Sequence, residues 1–245
     1  MKNDDCRYYC YRKTRQNNIT NSKKMDHLEL VAFDMDGVLT NIHSSWKYIH
    51  DYFNTSNNRS VDEYLKGKID DLEFIRRDAS LWIENGLPIK NDRLVEILSK
   101  VPLMDGAKAC INTLKNNNIK TAIISAGLNI LANRVAIELC VDYVFSNGIK
   151  TDDKGRITGE GILNVKLMYK DQTIERLSKQ TRIPLKRIAT VGNSCFDIPM
   201  FEITGLSIAF NPSDECVKKS ADVIVEGKNL IEILPFFDPF YKNQL

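Results

Sequence analysis

VAFDMDGVLT, residues 31–40, begins as an apolar strand and ends in two aspartates one residue apart, followed by Gly37. Two carboxylates so close together are costly to bury unless a cation neutralises them. Open α/β sheets take their ligands at the carboxyl ends of their strands. The stretch therefore reads as a strand that delivers Asp34 and Asp36 to a site, with Gly37 allowing the sharp turn that faces both side chains one way. Taken alone, it also fits a structural Asp-Gly turn.

Outward from this strand, short apolar runs alternate with helical periodicity. Strand candidates are 28–34, 119–125, 143–146, 187–192, 206–210 and 222–225, and helical patterns cover 105–117, 128–139, 166–180, 197–204, 213–220 and 228–234. Continuous runs of Val, Ile and Ala suit a parallel sheet covered on both faces. The alternation implies an α/β fold, a Rossmann-like doubly wound parallel sheet. One segment breaks it. Residues 40–103 look helical and contain no convincing strand. Ile42, Trp46, Ile49 and Phe53 share one helix face, as do Leu72, Ile75, Ala79 and Trp82. This is a small α-helical cap inserted after the first strand, its two stripes serving as cap core. The expected division is a leader at 1–26, a core at 27–40 and 103–245, and a cap at 41–102. The stretch NGIKTDDKGRITGEG, 147–161, carries a turn at Asp153, Lys154 and Gly155 and reads as a hairpin.

The chain has 245 residues, 43% hydrophobic and 27% charged, with a formal net charge of +2, an ordinary globular composition. No apolar run approaches the ~20 residues that span a bilayer, and the first residues lack the apolar core of a signal peptide, so a cytoplasmic location and no membrane partner are expected. Residues 1–24 hold seven Lys or Arg against two Asp, leaving about −3 for the rest. Such a basic, aperiodic leader reads as a disordered tail; nucleic-acid binding by it is the lesser alternative, and Met25, directly after it, is an alternative start. The six cysteines, at 6, 10, 110, 140, 195 and 216, lack metal-type pairing and read as reduced thiols.

The order DMDGVLT, ISAG, a lone lysine and VGNSCFDIPMF resembles the four motifs of the haloacid dehalogenase superfamily of phosphotransfer enzymes. The match runs over roughly residues 28–235, and the helical insertion between the first two motifs is similar to the phosphoserine phosphatase branch. The resemblance implies a nucleophile at Asp34, forming an aspartyl-phosphate, and a general acid and base at Asp36, whose main-chain carbonyl is also a metal ligand. It implies phosphate binding by Ser125, by the Ala126 and Gly127 amides and by Lys170, with Lys166 the competing lysine. Mg²⁺ is the implied cofactor, held by Asp34, Asp36, Asn193 and Asp197. Here the chain departs from the pattern, because Asn193 stands where the family usually has an aspartate. An amide oxygen still ligates a hard cation but carries no charge.

In phosphoserine phosphatase the substrate is recognised by an acidic residue nine positions after the nucleophile and by an arginine in the cap. The ninth position here is His43, and Asp78 or Ala79 falls at the arginine's place, with Arg76 and Arg77 nearby. An ammonium group needs an anionic partner, which His43 does not provide reliably at neutral pH. The expectation is a Mg²⁺-dependent phosphatase of another small phosphorylated metabolite. The alternatives are phosphoserine phosphatase proper, or a catalytically impaired binding or regulatory protein on account of Asn193.

Overall fold

The computed structural model describes residues 25–241. The basic segment 1–24, with Cys6 and Cys10, lies outside them. Two residues assigned to the leader belong to the fold: Met25 is buried, and Asp26 pairs with Lys186 at 2.7 Å.

The chain starts in β1 (Leu30–Phe33) and then enters the insertion: α1 (Ser45–Tyr52), α2 (Asn58–Leu65), α3 (Asp71–Ser80), β2 (Ile83–Glu84), β3 (Leu87–Pro88) and α4 (Asn91–Leu98). It returns through α5 (Ala107–Asn116), β4 (Lys120–Leu128), α6 (Asn129–Leu139), β5 (Tyr143–Thr151) and β6 (Ile157–Ile162). It closes with α7 (Lys170–Thr181), β7 (Ile188–Gly192), α8 (Ile198–Phe201), β8 (Leu206–Phe210), α9 (Glu215–Ser220) and β9 (Val223–Val225). The sheet order is β6-β5-β4-β1-β7-β8-β9, parallel throughout except for the β5–β6 hairpin. β1 is central and wholly buried, which is why it reads as an unbroken apolar run. Its residues alternate between faces: Val31 and Phe33 join the cluster that includes α5 and α6, whereas Leu30 and Ala32 join the one under α7 and α8.

The cap is continuous with the first of these clusters through Ile49, Trp82, Ile89 and Leu94. Its two crossings to the core run side by side: Asn41 N donates to Pro102 O at 3.0 Å and Met104 N to Leu39 O at 2.9 Å. Contrary to the strand-free reading of the insertion, β2 and β3 pair around Asn85 and Gly86, both at positive φ (53° and 73°). These strands have two residues each, all exposed, so they leave no apolar alternation to read.

Several boundaries also differ. β4 runs on to Leu128 and β5 to Thr151. The fourth-motif helix is a 3₁₀ turn, Cys195–Asp197, leading into α8, and Leu230–Phe236 is 3₁₀ with Pro235 inside it. Cys110, Cys140 and Cys195 are free thiols, while Cys216 lies half-buried on α9. No helix among the described residues is long and apolar enough to cross a membrane.

Candidate active site

The carboxyl ends of β1, β4 and β7 converge under the cap. Asp34 follows β1, its N–H donating to Val191 O at 2.9 Å, and is 6% exposed. Its Oδ1 accepts from Met35 N at 2.8 Å and lies 3.0 Å from Lys170 Nζ; Oδ2 has no partner among the described residues. The chain then turns tightly, with Gly37 at φ +79° and the Met35 carbonyl accepting from the N–H groups of Leu39 and Thr40 at 2.9 and 3.0 Å. The turn aims Asp36 at the cap. There the first residue of α1 meets it: Ser45 N and Oγ both donate to Asp36 Oδ2, at 2.7 and 2.8 Å.

At the end of β4, Ser125 is 2% exposed and its Oγ accepts from Gly127 N at 3.1 Å. Gly127 allows a close approach between cap and core. A Cβ there would stand 2.7 Å from Ser45 Oγ and 2.9 Å from Asp36 Oδ2. The Ala126 carbonyl is turned away from this cluster and accepts from Trp46 Nε1 at 3.0 Å and Asn147 Nδ2 at 3.3 Å.

Lys170, the first residue of α7, is 2% exposed and reaches both Asp34 and Asp197, the latter at 2.6 Å. Lys166, its competitor, lies over the Tyr169 ring instead. Asp197 is fully buried, and its second oxygen accepts from Asn193 N, Ser194 N and Ser194 Oγ at 2.9, 3.0 and 3.3 Å. Both its oxygens are taken and it does not line the cavity. It therefore braces Lys170 and the 193–194 turn from behind. Asn193 faces forward. Its carbonyl is fixed by Ser213 N and Oγ at 2.7 and 3.0 Å. Its side-chain amide lies over the Asp turn, where a Cβ at Gly37 would come within 2.0 Å of Nδ2.

Asp34 and Asp197, both buried, thus pair with one ammonium, and the half-buried Asp36 stands beside them. Burial raises the Asp34 carboxyl above the usual range against the pull of Lys170, and raises Asp36 against the pull of the Ser45 hydrogen bonds. Burial acts on the Lys170 ammonium in the opposite direction, but Asp197 and Asp34 outweigh it and hold the amine charged. Asp36 Oδ1 is buried and has no hydrogen-bond partner among the described residues. Two negative charges in excess and an orphaned oxygen fit a divalent cation. The Asp34 carboxylate, the Asp36 main-chain carbonyl and the Asn193 amide oxygen are the hard oxygen donors that Mg²⁺ prefers. Among the described residues no group of three or more His, Cys, Asp and Glu side chains has metal-binding geometry.

These groups open into a cavity of about 510 Å³ between core and cap. Of the residues expected at the site, Asp34, Asp36, Ser125, Ala126, Gly127, Lys170, Asn193 and His43 line it. Arg76 and Arg77 do not. Arg76 is bonded to Glu73 at 2.6 Å, and Arg77 to Glu73 at 2.7 Å and to Glu63. Sequence reasoning missed Ser45, Trp46 and Asn147, polar groups whose partners lie far away along the chain, and nothing in their local pattern could have marked them.

A family model described as haloacid dehalogenase-like hydrolase matches residues 28–204. The phosphoserine phosphatase of Methanocaldococcus jannaschii is 29% identical over 211 residues, which cover 85% of this chain and 97% of that one. The phosphoserine phosphatase of Idiomarina loihiensis is 31% identical over 212 residues, covering 84% and 91%. Among solved structures, a substrate-bound phosphoserine phosphatase complex has a TM-score of 0.73 at 27% identity, covering 85% of this chain and 98% of that one. A phospho-aspartyl intermediate analogue of phosphoserine phosphatase has the same score and identity, covering 86% and 99%.

Proposed function

The chain belongs to the haloacid dehalogenase-like hydrolases, and we propose that it is a Mg²⁺-dependent phosphatase that hydrolyses a small phosphomonoester through an aspartyl-phosphate on Asp34. The observation that carries this reading is the arrangement on the cavity floor. Lys170 Nζ stands 3.0 Å from Asp34, and Asp36 is held beside it by Ser45.

The free Oδ2 of Asp34 attacks phosphorus while the bond to the ester oxygen breaks. Asp36 donates its proton to the departing alkoxide, a role suited to a carboxyl whose pKa burial has raised. The Ser125 hydroxyl, the Ala126 and Gly127 amides and the Lys170 ammonium hold the phosphoryl oxygens as charge shifts onto them. Asp36, now ionised, takes a proton from the water that attacks the aspartyl-phosphate, releasing phosphate and restoring Asp34. Asp34, the Asp36 carbonyl and Asn193 would hold Mg²⁺, which when bound would supply the positive charge that lets a carboxylate approach a phosphate dianion. The cap bounds the cavity and excludes water and large esters.

The test is phosphate release from a panel of small phosphomonoesters across a Mg²⁺ titration. Release by the wild type that is abolished in Asp34→Asn is the expected result; release that survives in Asp34→Asn refutes the proposal. The neutral amide at Asn193 favours one second reading, a protein that binds phosphorylated ligands without turnover. A silent wild type alongside an active Asn193→Asp would establish it.

A further inference from the structure

The cap side of the cavity holds a carboxylate for which the phosphoryl chemistry has no use. Asp78, on α3, lines the cavity and is 3% exposed. Its Oδ2 accepts from Asn57 Nδ2 at 2.8 Å and stands 3.3 Å from His50 Nε2. Its Oδ1 is buried and has no hydrogen-bond partner among the described residues.

His50 stands near Oδ2 only and leaves Oδ1 without a partner among the described residues. Its Nδ1 accepts from Trp82 Nε1 at 3.3 Å and lies 2.8 Å from the Thr55 hydroxyl. Other cations are also committed elsewhere. Lys170 is at the phosphate end, Lys47 is exposed and paired with Asp51 at 2.6 Å, and no arginine lines the cavity. Asp71 adds a second carboxylate to the same wall, and the rings of Tyr64 and Phe74, stacked at 5.1 Å, lie beside it.

A nearly buried carboxylate with an empty oxygen is half of an interaction. We propose that Asp78 selects the substrate, and that the cavity takes phosphomonoesters whose alcohol carries an ammonium group and no carboxylate, the class of amino-alcohol phosphates. The ammonium donates to Asp78 Oδ1 and is flanked by aromatic faces, while the phosphate occupies the Lys170 end. A carboxylate on the substrate would meet Asp78 as a like charge. This inference rests on the phosphatase reading above.

The experiment compares kcat/KM for 2-aminoethyl phosphate, its neutral isostere propyl phosphate, 2-phosphoglycolate and O-phosphoserine, using the full chain and Asp78→Asn. The expected order is the amino ester first, roughly tenfold or more above the propyl ester, as for a substrate donor that meets a buried polar partner. Phosphoserine falls below the amino ester and phosphoglycolate comes last. Asp78→Asn is expected to bring the amino-to-propyl ratio close to one. A propyl ester or phosphoserine that equals or exceeds the amino ester in the wild type overturns the proposal, as does a ratio unchanged in Asp78→Asn. Calorimetric binding of the same four esters to Asp34→Asn reads the preference without turnover. A wild type that releases no phosphate therefore refutes the phosphatase reading, while the binding order still decides this one.

Discussion

Asn193 sets a neutral amide against a cluster that already carries two negative charges in excess, and this single position tunes both metal affinity and stability. A charge-assisted contact is worth about 1.5–3 kcal/mol, so Asn193→Asp should bind Mg²⁺ roughly tenfold more tightly, or better. Without metal, the same change adds a fourth carboxylate around one ammonium and should lower the melting temperature. Scans with and without Mg²⁺ therefore move in opposite directions; a shift of the same sign in both would show that residue 193 does not face the ion. Ser45 acts on the neighbouring group. Its two hydrogen bonds to Asp36 oppose the effect of burial on that carboxyl. Ser45→Ala should allow the Asp36 pKa to rise further. Because the second half-reaction needs Asp36 ionised, the acidic limb of the kcat profile should move to higher pH, with kcat down by about tenfold or more from misplacement of the acid. A lower kcat with an unmoved limb would make Ser45 a packing residue only.

At the scale of elements, Asp142 joins β4 to β5. Burial works to raise its carboxyl pKa, but the N–H and hydroxyl of Thr121, donating at 2.8 and 3.0 Å, outweigh burial and hold it below the ordinary value of 3.8. A depressed carboxyl stabilises the fold above its unfolded value and loses that contribution as pH falls through the folded value. Asp142→Ala should melt ~2–4 °C below wild type at pH 7, the scale set by one net hydrogen bond in a chain of this size. The gap should close below pH ~4, and a gap that persists into acid would mean the loss is one of packing. The sheet that Asp142 helps align was legible in sequence because its central strands are buried on both faces, as β1, β7 and β8 are. What escaped was set by contacts rather than pattern. β2 and β3 are too short and exposed to alternate, and the 195–197 turn is 3₁₀ where Asp197 accepts the N–H groups of Asn193 and Ser194. The site divides in the same way. Asp34, Asp36, Ser125 and Lys170 stand at strand ends or a helix start within recognisable motifs. Ser45 and Asn147 acquire their roles only when the cap and the β5–β6 hairpin close over those ends.

Cap and core share apolar packing and a few directed bonds, so any opening of the cap must break contacts outside the reacting groups. Trp46 carries one such contact. Its Nε1 donates across 80 residues of sequence to Ala126 O at 3.0 Å, the carbonyl next to Ser125, while its ring packs against Trp82 at 5.6 Å. The hairpin clasps the cap from the other side, with Asn91 N donating to Gly155 O at 2.8 Å and Ile157 N to Ile89 O at 3.0 Å. Trp46→Phe keeps the aromatic packing and removes the bond, which favours the closed form by about 0.5–1.5 kcal/mol, or roughly two- to tenfold in the closing equilibrium. A substrate that binds only the closed form must then draw on its own binding energy to close the cap, so KM should rise by up to that factor. The reacting groups are untouched once the cap is shut, so kcat should change little. Amide exchange in α1 should quicken in the same variant, because closed and open states interconvert at the expense of that bond. A fall in kcat at constant KM would instead make the Trp46 bond a brace for Ser125, and would transfer its effect from the movement of the cap to the chemistry beneath it.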